Sequence, residues 1–181
     1  MNYKDLTDKL IKKCLQNGAD EAEVYLETSR NLSIQVLKGE IETIEEASSH
    51  GVGFRVFIDG KMGFSHCNDL GSKSLEETLK RAIAFARLTT PDENNTLTSN
   101  TEMSDVAGLY DPEIATVPME EKIKMAIDLE ELAMSDPRIT KSSGAYFGEG
   151  EGEVFIANSN GISKSYKSSA CSLGVSVVAE K

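Results

Sequence analysis

Cysteine and histidine are scarce in this sequence. The three cysteines, Cys14, Cys67 and Cys171, stand far apart and are odd in number. That argues against a disulfide framework and for a reducing compartment. No CxxC pair occurs, which removes the usual thiolate zinc site. The two histidines, His50 and His66, do not form HExxH, and no GxSxG stands at a strand-turn-helix elbow. No run approaches the roughly 18 apolar residues that a membrane-spanning helix needs. The N-terminal MNYKDLTDKLIKK has no apolar core of a secretory signal. Positive charge is also in deficit: net charge is −11. A chain this acidic is repelled by phosphate backbones and anionic lipid, so neither direct nucleic-acid binding nor a membrane association is expected.

What remains is a chain of 181 residues, 39% hydrophobic and 27% charged, long enough for one or two domains with a real core. Leu6, Leu10, Ile11, Cys14 and Leu15 make one apolar stripe, predicting a first helix that ends at Gly18. Cys14 is then a small core residue and not a nucleophile. Residues 22 to 68 alternate apolar and polar residues in five runs: AEVYLET, LSIQVLK, EIETIEEA, VGFRVFI and MGFSHC. Turns are expected at Ser29-Arg30-Asn31, Lys38-Gly39, Ser48 to Gly51 and Asp59-Gly60. Residues 74 to 88 predict a second helix, with Ser74 and Glu77 as a capping box.

The segment 89–105 is polar and turn-rich and reads as a linker or long surface loop. A third helix is expected to carry Pro118 in its first turn. Its stripe of Ile123, Ala126, Ile127, Ala133 and Met134 is interrupted or bordered by Glu130. Strand-like runs return from Ile139 onward, with Asn158 to Gly161 as a turn. The fold class is α+β: helix, antiparallel meander and helix, followed by a second, incomplete helix-plus-antiparallel-sheet unit. The predicted division is an N-terminal domain over 1–89, a linker over 90–112 and a second unit over 113–181. Because the chain stops at Lys181 beside a strand-like run, the second unit is expected to be truncated and the chain to be a fragment.

The stretch HGVGFRVFIDGKMGFSHCNDL, 50–70, poses the sharpest chemical question. It holds both histidines, with Cys67 and Asp69 beside the second. A two-residue turn at Asp59-Gly60 pairs Gly53 with His66 and sends the histidines to opposite faces; a three-residue turn including Lys61 puts them on one face. In either case they lie at the far ends of their strands. A zinc ion needs about four ligands, which a straight strand end cannot supply. FGEGEGEVF, 147–155, lacks the lysine of a P-loop and reads as a flexible turn. GEIETIEEA, 39–47, gathers four carboxylates; acid-base work is weighed there against a solvated strand face, which is the reading adopted. The residues assign no catalytic, cofactor-binding or metal residue.

The order of several phrases resembles the N-terminal region of the TldD/PmbA family, once named modulators of DNA gyrase. These are Gly18-Ala19-Asp20, Lys38-Gly39-Glu40-Ile41-Glu42, Gly51 to Val56 with Gly63-Phe64-Ser65, Leu109-Tyr110-Asp111-Pro112, Asp136-Pro137-Arg138-Ile139 and Ala157 to Gly161. They are more similar to the PmbA (TldE) branch than to the TldD branch. The resemblance implies a cytoplasmic zinc metallopeptidase system acting on peptides or unfolded protein, associated with microcin maturation and antitoxin turnover. It implies a homodimer, or a heterodimer with a TldD-type subunit. TldD members carry an HExxxH zinc motif, absent from this chain, so zinc is implied for TldD-type members only and no ligand carries over. The glycines Gly51, Gly53, Gly60 and Gly63 match as backbone positions. The resemblance favours a non-catalytic N-terminal portion, inactive alone, that supports the catalytic part and guides an unfolded peptide. The alternatives are a stand-alone module binding peptides by strand addition and, disfavoured by charge, a gyrase-linked regulator.

Overall fold

The computed structural model describes residues 2–99, 102, 104 and 106–180. The elements run α1 (Tyr3–Gln16), β1 (Glu21–Leu37), β2 (Glu40–Ile58), β3 (Lys61–Cys67), α2 (Ser72–Leu88), a short 3-10 turn (Ile114–Thr116), α3 (Met119–Met134), β4 (Ile139–Asn158) and β5 (Ser163–Ala179). The strands form one antiparallel five-stranded sheet in the order β3-β2-β1-β4-β5. The α+β class read from the sequence is therefore the observed one.

The strands are longer and fewer than the alternation predicted. The first four runs between Ala22 and Ile58 are two continuous strands, β1 and β2. Neither Ser29-Arg30-Asn31 nor Ser48 to Gly51 is a turn. Neither stretch contains a residue with positive φ, and polar residues here are exposed or half-buried strand positions rather than chain reversals. The same holds for FGEGEGEVF, which lies inside β4. Gly148 and Gly150 have no positive φ; a Cβ on them would come within 2.9 Å of Ser172 Oγ and of Asn31 Oδ1. These glycines make room for neighbouring strands instead of bending the chain. The reversals occur at Lys38-Gly39 (φ 56° and 75°) and Asp59-Gly60 (φ 50° and 72°), both with the two positive φ values of a tight hairpin turn.

The helix starts also differ in detail. α2 begins at Ser72 with Gly71 as N-cap and no side-chain cap bond, so the Ser74-Glu77 capping box does not form; the Ser74 carbonyl accepts instead from the Thr78 hydroxyl. Pro118 is the N-cap of α3 rather than a first-turn residue. α1 is capped by Asn2, whose Oδ1 accepts from the Asp5 amide, and its chain turns away at Gly18 (φ 93°).

Contacts divide the chain into two compact units, each assembled from three separate stretches. Unit 1 comprises 1–28, 49–105 and 153–166; unit 2 comprises 29–48, 106–152 and 167–181. In unit 1, α1 and α2 supply Leu10, Cys14, Leu79 and Ala82 to a core completed by Val24, Leu26, Phe54 and Val56. β3 can approach α2 closely because Gly63 has no side chain: a Cβ there would lie 2.0 Å from the Ala82 carbonyl oxygen. In unit 2, Ala126 of α3 packs with Leu32, Ile34, Val36, Ala145 and Phe147, bordered by Ile123 and Ile127.

Candidate functional site

Alternation along a strand sends every second residue away from the helices. In unit 1 the even-numbered Val24, Leu26, Phe54 and Val56 are buried, so Glu23, Tyr25 and Glu27 of β1 and Gly53 and Arg55 of β2 belong to the opposite face. The observed β2-β3 register pairs Ile58 with Lys61 and Gly53 with His66. That fixes the two-residue turn among the alternatives open from sequence. Phe64 and His66 stand two apart on β3, with rings stacked at 5.9 Å and an interplanar angle of 29°. A Cβ on Gly53 would meet the Phe64 ring at 3.1 Å. The ring lies over the bare backbone of Gly53, which shelters the glycine as aromatic residues do on designed sheets.

Around this aromatic platform lies an open depression of about 440 Å³ lined by Tyr25, Glu27, His50, Gly53, Phe64 and His66, among others. A smaller one of about 240 Å³ adjoins it, lined by Glu23, Tyr25, Gly53, Arg55 and Phe64. Tyr25, Gly53 and Phe64 are common to both. Arg55 Nη2 is 2.7 Å from Glu23 Oε1, and the buried Arg55 Nε has no hydrogen-bond partner. The Tyr25 phenol is pushed up to about 12, by burial first and then by its hydrogen bond to Tyr166 and the charge of Glu27. Its proton is engaged with the Tyr166 hydroxyl.

The residues that posed the metal question separate here. The two-residue turn was expected to send the histidines to opposite faces, but both of them and Cys67 line the larger depression, with His50 lying beyond Val52, the last residue of β2 paired to β3. Asp69 is engaged elsewhere: its Oδ1 accepts from the Gly71 amide at 2.8 Å where α2 begins, and its carbonyl accepts from the Cys67 thiol at 3.3 Å. Among the described residues no group of three or more His, Cys, Asp or Glu is arranged to hold a metal ion. What this face offers is flat aromatic surface with a polar rim, suited to receiving side chains and backbone of an extended ligand. Tyr25, Phe64 and Tyr166 escaped the sequence reading, although the Glu23-Tyr25-Glu27 alternation opposite Val24 and Leu26 was signal enough to place Tyr25 on the outer face.

The fold, three helices and a five-stranded antiparallel sheet among the described residues, has counterparts among known proteins. Residues 22–86 match the family model described as PmbA/TldA metallopeptidase domain 1, and 112–181 match the PmbA/TldA metallopeptidase central domain. The chain belongs to the PmbA/TldD family. It is 30% identical over 159 residues to the Metalloprotease PmbA homolog of Haemophilus influenzae, covering 87% of this chain and 35% of that relative. A crystal structure of a proposed modulator of DNA gyrase from Bacteroides thetaiotaomicron superposes with a TM-score of 0.87 at 28% identity, over 98% of this chain and 41% of that one. TldE from Thermococcus kodakarensis shares the fold, with a TM-score of 0.75 at 19% identity over 96% of this chain and 39% of that one. The chain thus spans little more than a third of the length of the curated relative it matches. No helix among the described residues is long and apolar enough to cross a membrane.

Proposed function

We propose that this chain forms the non-catalytic N-terminal portion of a PmbA/TldD-type metallopeptidase subunit in the cytoplasm. In this reading it is a scaffold, and the aromatic face of unit 1 guides a peptide or unfolded segment. The observation that carries it is the order and extent of the family matches: domain 1 followed by the central domain, over about a third of a PmbA relative. The sequence holds no HExxxH, so the hydrolytic zinc belongs in this reading to a TldD-type subunit, with which the protein pairs, or to sequence that other family members carry. The chain's own contribution is positional: the Tyr25 hydroxyl, bonded to Tyr166, offers its oxygen, and Phe64, seated over Gly53, and His66 offer ring faces.

The test combines metal analysis of the purified chain, a peptidase assay with and without a TldD-type subunit, and co-purification of the two. The expected result is no stoichiometric zinc, no cleavage by the chain alone, and a stable complex with the partner subunit. One equivalent of zinc lost on substituting His66 or Cys67 overturns the non-catalytic reading. Peptide capture by Phe64→Ala at undiminished affinity overturns the guiding role.

A further inference from the structure

β2 is 19 residues long, but its pairing with β3 covers only Val52 to Ile58. In the strand order, β2 has β3 on one side and β1 on the other. Its outer edge from Glu40 to Ser48 therefore has no strand beside it among the described residues. Such an edge is a row of backbone donors and acceptors that a further strand can complete. The side chains here are unusually open. From Glu40 to Ser48 every residue but Thr43 is exposed, with Ile41 at 49% and Ile44 at 43%. Four carboxylates, Glu40, Glu42, Glu45 and Glu46, fall in the same stretch, and Arg30 pairs with Glu46 at 2.7 Å.

We infer that this edge is a strand-addition site for a basic extended segment, one alternating lysine or arginine with aliphatic residues. The unpaired backbone supplies the ladder; on one face Glu40, Glu42 and Glu46 select the partner's charge, and on the other Ile41 supplies apolar contact. Charge also selects against a second copy of this chain. Pairing the same edge of two molecules would bring glutamates against glutamates, and like charges across a strand pair are destabilising. A nucleic acid is excluded on the same sign. The site lies in unit 2 and is independent of the aromatic face in unit 1.

The experiment titrates the intact chain with a labelled peptide of alternating lysine and valine, followed by fluorescence anisotropy, with hydrogen exchange locating the contact. Two control peptides carry the same charge with prolines interspersed, or glutamate in place of lysine. The alternating basic peptide binds and protects amides within 41–48. Binding weakens as salt is added. The paired substitution Glu42→Lys with Glu45→Lys, on exposed positions that leave the far-UV spectrum unchanged, lowers affinity by roughly tenfold or more. The same variant gains affinity for the glutamate peptide. Equal binding of the proline-containing peptide reduces the effect to diffuse charge attraction and overturns the inference. So does an absence of binding, which leaves the carboxylates with the sole task of keeping the edge apart from other strands. Protection of 41–48 that rises with protein concentration and without peptide assigns the edge to self-association instead, and overturns it equally.

Discussion

Glu130 sits where helical periodicity asks for an apolar residue, and it is 3% exposed. Its carboxylate is not stranded. Oε2 accepts from the Gly39 amide at 2.9 Å, and Oε1 accepts from the Ser142 hydroxyl. The tight turn at Lys38-Gly39 is thereby tied to α3. Burial pushes this carboxyl up, but bonds from Ser142 and from the Gly39 and Lys38 amides outweigh it and hold it below the ordinary glutamate value. The consequence has a definite sign. A carboxyl depressed by folding stabilises the fold above its unfolded value, about 4.3, and loses that contribution as pH falls through its lower folded value. Glu130→Ala strands the Gly39 amide and should cost about 1–3 kcal/mol, read from urea unfolding near neutral pH. The gap between wild type and variant should narrow in acid; a gap constant down to the acid limit would show that the carboxylate charge is not what matters. From sequence Glu130 was legible as an interruption of the stripe, but its partners were not, because they lie 91 and 12 positions away.

Lys122 and Glu149 form a buried charged pair in unit 2, at 2.5 Å, with side chains 5% and 11% exposed. Removing one partner leaves the other charge without compensation, whereas removing both removes the need. Lys122→Met alone should therefore cost about 3–5 kcal/mol, and adding Glu149→Leu should restore most of it. A double variant as unstable as the single would assign the loss to packing. Cys14 illustrates the opposite case. It is fully buried, and burial pushes its thiol up to about 12, so alkylation of the native protein should spare Cys14 while modifying the exposed Cys171.

At the scale of elements, hairpin turns were the most legible features. Asp59-Gly60 and Lys38-Gly39 announce themselves because few residues tolerate positive φ. Strand continuity was not legible. Ser29-Arg30-Asn31 and the glycines of FGEGEGEVF carry the composition of turns, yet they sit within β1 and β4, where neighbouring strands rather than local preference decide. Close packing was legible in kind but not in partner. Gly63 reads as a glycine kept for its backbone, for a turn, a bulge or close packing, and it is the point where β3 meets the Ala82 and Ala86 backbone of α2. Gly63→Ala needs the helix to move off the sheet and should cost about 1–3 kcal/mol or more through overpacking. Gly39→Ala has open space around its Cβ and is limited by its φ of 75° alone. Chemical denaturation of the two variants compares the effects, and a milder loss at Gly63 than at Gly39 would contradict the contact.

At the scale of the whole molecule, the polar segment between the helices behaves differently along its length. Leu97 is 5% exposed, and the Leu97 and Thr98 carbonyls accept from the side chains of Asn160 and Asn158. Upstream, the Asp92 amide donates to Gly60. Downstream, the chain is held again at Leu109, whose carbonyl accepts from the Ser169 amide, and at Asp111, whose amide donates to the Ser169 hydroxyl. Val106, between the two sets of anchors, is 66% exposed. Limited proteolysis should therefore cut first beside the exposed Val106, between Val106 and Gly108, and spare 89–98. The fate of the nicked protein separates two pictures of its organisation. If 1–89 and 113–181 were independent consecutive domains, the fragments would part. Each compact unit, however, draws residues from both sides of the cut: 153–166 belongs to unit 1 and 29–48 to unit 2. Phe155 and Ala157 sit in the unit 1 core, and Leu32, Ile34 and Val36 sit in that of unit 2. The two fragments should co-elute on gel filtration under native conditions and separate only in denaturant. Separation without denaturant would show that the linear division is the true one and that the shared cores contribute little to holding the chain together.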